Sequence, residues 1–168
     1  MSISMYGTLM PMAKTLLTAL SANLQKAADH AKAKGFDESA LVNARLAPDM
    51  FALARQVQIA TDMAKGGACR LAGIDIPAYE DNETTIEALK ARVAKTVAFL
   101  DTIKPAQING SEEKPIVLKM RAGDVGFTGQ GYLISFVIPN LTFHCTTAYN
   151  ILRHNGVELG KMDYLGRS

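Results

Sequence analysis

Cysteine is scarce in this 168-residue chain: Cys69 and Cys145 are the only two. Two isolated thiols, each inside a helical pattern, exclude a disulfide framework and fit a reducing cytoplasm. No run reaches the roughly 18 apolar residues that a membrane span requires. The N-terminal stretch also lacks the basic region and continuous apolar core of a secretory signal. Charge of one sign is missing as well, since 18 Lys and Arg stand against 16 Asp and Glu, for a net charge of +2. They are interspersed, without the basic block that marks a nucleic-acid arm. The expectations are a cytoplasmic protein that binds neither membrane nor nucleic acid.

What is present is a chain able to build a core. Hydrophobic residues make up 48% and charged residues 20%, and the mean hydropathy is +0.06. That balance excludes a disordered chain, and the length suits one domain spanning 1–168. Leu9, Ala13, Leu16, Leu17, Leu20, Leu24, Ala27 and Ala31 form a helical stripe over about 5–34, stopped near Gly35. His30, among lysines near its end, reads as a contact to the helix C-terminus. A short turn starts at Asp37 or Ser39.

Pro48 suits the first turn of a second helix over 49–72, with Leu53, Val57, Ala60, Ala64 and Leu71 inward and Gly73 as the stop. Gly66-Gly67 either weakens that helix or admits a close neighbour. Asn82 or Thr84 opens a third helix over 83–103 through Ile86, Leu89, Val93, Val97 and Leu100. Pro115–Met120 and Val125–Phe127 flank Arg121-Ala-Gly-Asp124 and read as a β-hairpin over 115–127. Thr128 caps a fourth helix over 129–155, kinked at Pro139 and closed by Gly156. The tail beyond Val157 shows no period. The fold class is all-α, an antiparallel four-helix bundle with a small hairpin before the last helix.

The informative stretch is the last helix. Leu133, Val137, Asn140, His144, Thr147 and Ile151 share one face, so an amide, an imidazole and a hydroxyl interrupt an apolar stripe at one level. Buried polar groups need partners, so this layer is either a satisfied core network or the floor of a site. Gln56 lies on nearly the same face of the second helix as Leu53 and Ala60, with Arg45 and Asp49 before it at the mouth. His144 beside Cys145 is no nucleophile–base pair, because adjacent helical residues diverge by about 100°. No phosphate-binding loop or nucleophile elbow appears.

Asn140-Leu-Thr-Phe-His144-Cys-Thr-Thr147, followed by Leu152-Arg-His-Asn-Gly156, resembles the last helix of the DinB/YfiT-like superfamily. There the helix typically reads His-x-x-x-His, a small residue and Gln, then Leu-Arg-x-x-Gly. Asn43-Ala-Arg-Leu-Ala-Pro-Asp-Met50 is similar to a bacterial branch described only as of unknown function. The resemblance implies a metal site at Gln56, Asn140 and His144, with two amides in place of histidines. One imidazole and two amides are a poor zinc set, so the implied site is degenerate and holds at most a weakly bound divalent metal.

Three functions remain open. The chain is a small-molecule-binding bundle using Gln56, Asn140, His144, Thr147 and Arg45; or a metal-dependent thiol transferase or hydrolase with His144 at its centre; or a structural protein whose polar layer fixes helix register. Members of the superfamily are commonly dimeric, and a C2 homodimer is expected through Tyr6, Phe127 and Tyr164.

Overall fold

A computed structural model describes residues 3–120 and 122–167. Helix α1 (Met5–Lys34) starts where Ser4 Oγ accepts from Gly7 N–H at 3.0 Å and stops at Gly35, whose φ of 72° is left-handed. The short α2 (Ser39–Val42) leads into a loop that folds back on itself. There Met50 N–H donates to the Ala47 carbonyl at 3.0 Å and Leu53 N–H to the Ala44 carbonyl at 2.9 Å. Pro48 therefore sits at the second position of a β-turn, which its fixed φ suits as well as it suits a helix start. For this reason helix α3 (Leu53–Ala72) begins four residues later than the sequence pattern suggests.

Residues 74–85 form a strap without helix or strand. Helix α4 (Ile86–Thr102) then opens at Thr85, whose hydroxyl accepts from Ala88 N–H at 3.1 Å, so neither Asn82 nor Thr84 is its cap. A turn of helix, α5 (Pro105–Ile108), precedes the antiparallel hairpin β1 (Pro115–Met120) and β2 (Gly123–Thr128). Met120 pairs with Gly123, so Gly123 and Asp124 belong to the ladder and not to the turn. Arg121 of the expected turn lies outside the described residues.

Thr128 caps α6 (Gly129–Tyr132) by accepting from Gly131 N–H at 3.1 Å. A π-turn over Leu133–Val137 joins α6 to α7 (Ile138–His154). Pro139 has no N–H to give to the preceding turn, and Ile138 N–H reaches back five residues to Leu133. The kink expected at Pro139 is thus taken up by a widened turn just before it. The tail holds one further turn of helix, α8 (Lys161–Tyr164), begun where Asp163 Oδ2 accepts from Gly160 N–H at 2.7 Å.

Helix α3 packs on α7 and α4, while α1 packs on α4 and α7. The expected inward residues of α1 and α3 are buried, and Leu89, Leu100, Leu133 and Ile151 join them in one core cluster. The double glycine of α3 serves close approach: a methyl on Gly67 would stand 2.6 Å from Val137 Cγ1. This contact seats the π-turn directly on α3, and α7 then runs antiparallel to α3 with His144 level with Gln56.

Candidate functional site

Gln56 is 1% exposed and His144 9% exposed, and the two meet across the α3–α7 contact. Gln56 Nε2 donates to the Phe51 carbonyl at 3.1 Å, which fixes the orientation of the amide. Its Oε1 then lies 2.7 Å from His144 Nδ1. A carboxamide oxygen can only accept, so the imidazole carries its proton on Nδ1 and leaves Nε2 as a lone pair. Burial lowers the His144 pKa below the ordinary histidine range, and the positive charge of Arg55 acts in the same direction. The Phe143 ring stands edge-on to the imidazole, with centroids 5.2 Å apart and planes at 90°.

The other expected members do not join this pair. Asn140 is half-buried, and its Nδ2 donates to the Phe136 carbonyl at 2.7 Å. The π-turn uses an extra residue, so the core line passes from Val137 through Leu141 and carries Asn140 to the flank. Thr147 is buried where expected, but its hydroxyl donates to the Phe143 carbonyl of its own helix at 2.8 Å. Arg45 is exposed and closes the 44–52 loop by donating to the Met50 carbonyl at 2.6 Å. Asp49 sits exposed in the turn beside it.

This donor set does not fit a tightly held metal. Gln56 Oε1 is already used by His144, the Asn140 amide is turned to its own backbone, and one imidazole nitrogen remains. Among the described residues no group of three His, Cys, Asp or Glu side chains could hold a metal ion. Cys145 adds nothing, since burial pushes its thiol up to about 12, far from a thiolate at neutral pH.

On the same side of α7 lies a surface pocket of about 440 Å³, lined by Leu46, Met50, Pro139, Phe143, Thr147 and Asn150 among others, with neither Gln56 nor His144 in its wall. Its walls come from the loop that anchors Gln56 and from the helix that carries His144.

A second polar cluster has no counterpart in the sequence reading. Arg92 of α4 has a side chain 2% exposed and bridges α3 to the strap. Its Nε donates to Thr61 Oγ1 at 2.8 Å, and its Nη1 to the Glu80 carbonyl at 2.9 Å and Glu83 Oε1 at 3.0 Å. Its Nη2 donates to Asp62 Oδ1 at 3.0 Å and pairs with Asp81 Oδ1 at 3.1 Å. Lys65, also buried, donates to the Pro77 carbonyl at 2.7 Å and sits 3.5 Å from the Tyr79 ring centre. Arg92 falls between Leu89 and Thr96 at helical spacing, so a charge on the inward stripe of α4 was the available signal.

A mostly helical protein with a small antiparallel hairpin before its last long helix has a DinB-like fold. The crystal structure of a DinB family member protein from Shewanella denitrificans is 41% identical, covering 96% of this chain and 91% of that one, with a TM-score of 0.88. The chain belongs to the family described as a domain of unknown function, DUF1993, whose family model matches residues 5–165. No curated protein matches it. Among the described residues no helix is long and apolar enough to cross a membrane.

Proposed function

We propose that this single-domain helical bundle binds a small molecule beside the Gln56–His144 pair, without a tightly held metal. The observation that carries the reading is the Phe51 carbonyl, which holds Gln56 so that its oxygen faces His144 Nδ1. That contact fixes the proton on Nδ1, burial disfavours a second proton, and Nε2 makes no hydrogen bond among the described residues. Such a nitrogen recognises a hydroxyl, thiol or N–H donor. The neighbouring pocket, whose walls are uncharged and include Phe143 and Thr147 on either side of His144 in sequence, favours an apolar frame that extends its donor toward the imidazole. In a reaction His144 Nε2 would be the group to take a proton, with Gln56 as its positioning residue.

The alternative that a specific observation favours is a structural pin. Both ends of the Gln56 amide are satisfied inside the protein, so the pair ties the 44–52 loop to α7 whether or not a ligand binds.

Nitrogen-15 NMR of the His144 ring at neutral pH tests the reading. The expected spectrum is a neutral Nδ1–H tautomer whose Nε2 resonance moves when phenol is added and stays when toluene is added. A cationic ring or an Nε2–H tautomer overturns the proposal. A correct tautomer that responds to neither probe leaves the pin as the better account.

A further inference from the structure

Groups that the sequence leaves unpartnered are for the most part engaged within the chain. Tyr6, Phe127 and Tyr164, expected at a dimer contact, are half-buried against the core cluster. Around the strap, Arg55, Lys65 and Arg92 are balanced by Asp62, Asp81 and Glu83. Arg70, half-buried near the end of α3, is left over. It forms no ion pair among the described residues; Asp75, the carboxylate nearest to it in sequence, is exposed and does not pair with it.

The Arg70 guanidinium is nevertheless fixed. Its Nη1 donates to the hydroxyl of the buried Tyr132 at 3.1 Å, and the side chain lies back along α3 over Gly66. A Cβ on Gly66 would stand 2.8 Å from Arg70 Nη1, with the next atoms, Arg70 Cζ and Ile76 Cδ1, 3.9 Å away. Glycine inside a helix costs stability relative to alanine. Gly67 meets that cost by seating Val137, whereas Gly66 makes room for nothing but the guanidinium. A cation in the last turn of a helix ordinarily serves the unpaired carbonyls there. Arg70 is in the last turn, yet its side chain runs the other way.

Of the five N–H groups of this guanidinium, the described residues accept from one. Arg70 lines a pocket of about 290 Å³ between α3 and the strap, with Lys65, Met63, Ile76, Pro77 and Tyr79. Asp62 is also in its wall, but that carboxylate is held by Arg92 and Lys65 at 3.0 and 3.2 Å. The wall thus carries a positive charge in excess, and Arg70 is its source.

We propose that this pocket holds the carboxylate of a small organic acid, with Arg70 as the binding group and Tyr132 and Gly66 as the residues that place it. The planar fork of arginine matches a carboxylate through two parallel hydrogen bonds. Met63, Ile76 and Pro77 offer an apolar wall to the carbon frame. The volume lies at the lower end of small-molecule sites, so the acid is of single-ring or short-chain size. The inference goes beyond the small-molecule reading and does not depend on it, because this pocket lies between α3 and the strap and not against α7.

Titration of the full chain with benzoate, benzamide and inorganic phosphate at neutral pH, read by backbone amide NMR and calorimetry, tests the site. Benzoate is expected to bind with a dissociation constant of about 1 mM or below and to shift the amides of Gly66, Ile76 and Tyr79. Benzamide has the same shape without the charge and is expected to bind at least about tenfold more weakly. Arg70→Gln is expected to weaken benzoate at least about tenfold. Lys34→Gln, which removes an equal charge from α1, is expected to leave it unchanged. Gly66→Ala separates the site from stability: it displaces the guanidinium and is expected to weaken benzoate while the urea midpoint holds or rises. No binding of benzoate overturns the proposal, and so does binding that neither Arg70→Gln nor Gly66→Ala reduces. Phosphate bound at the same amides more tightly than benzoate overturns the assignment of a carboxylate. None of these results bears on the His144 tautomer.

Discussion

Helix α3 carries a buried polar cluster on each of two sides, and the two are built in opposite ways. Toward α4, Arg92 brings a full charge into the interior and every direction of its guanidinium is met by an acceptor. Toward α7, Gln56 and His144 are both neutral, and one nitrogen of the pair is left over. A buried charge requires complete pairing, because an unmatched one costs several kcal/mol; a neutral imidazole does not, and so can keep a lone pair for something else. Complete satisfaction marks the Arg92 cluster as the staple of the strap. Incomplete satisfaction in an ordered pair marks His144 as the group with chemistry to spare.

The sharpest break in this comparison is at Arg92. Replacing it with Met keeps much of the stem volume but strips Asp62, Asp81 and Glu83 of their shared cation. The expected loss is at the low end of the about 3–5 kcal/mol for breaking a buried ion pair, because only Glu83 is left buried without a cation, while Asp62 keeps Lys65 and Asp81 keeps Arg55. It would be read as a fall in the urea midpoint, with hydrogen exchange rising first over residues 74–85. An Arg92→Met protein as stable as wild type would show that the strap is held by apolar contacts instead.

His144→Ala breaks the other cluster and is expected to cost less, about 1–3 kcal/mol, by leaving Gln56 Oε1 buried without a donor. Only one amide is orphaned, since Asn140 is bonded to the Phe136 carbonyl. Gln56→Leu removes the acceptor and the anchor together, and a double-mutant cycle with His144→Ala is expected to show coupling of about 0.5–3 kcal/mol. Additive losses would mean that the 2.7 Å bond contributes nothing to the folded state.

Much of this was readable before folding. The stripes of α1 and α3 and the cap at Thr128 follow from local spacing and residue type, and local rules were enough for them. His144 and Gln56 each stood out as a polar residue on an apolar face, and the family resemblance implied that they meet. Asn140 was misplaced because the periodicity argument assumed 3.6 residues per turn through Pro139, whereas the π-turn re-phases everything after it. The start of α3 was misplaced because Pro48 fits two local structures, and the choice was made by the Ala44 carbonyl from outside the helix. Arg92 went unread for a different reason. Its five partners lie on α3 and on a strap without period, so nothing near it in sequence announces that a charge on the inner stripe will be satisfied.

The smallest expected effect is the most discriminating, because both clusters respond to acid but in different ranges. For Glu83, burial alone would raise the pKa, yet the hydrogen bonds from Arg92 and Gln58 outweigh it and hold the carboxyl below its ordinary 4.5. His144 is held below its ordinary 6.5 by burial and by Arg55. In both cases the unfolded chain takes up the proton first as pH falls, so each group's contribution is complete above its unfolded value and is lost through the folded one. The loss from His144 begins as pH drops below about 6.5, and that from Glu83 only below about 4.5. Urea midpoints measured from neutral pH downward should therefore fall in two stages. His144→Gln is expected to flatten the upper stage and spare the lower, and Glu83→Gln the reverse. A single acid transition unchanged by His144→Gln would mean that the imidazole is solvated in the folded state, and with that the distinction between a closed staple and an open nitrogen would disappear.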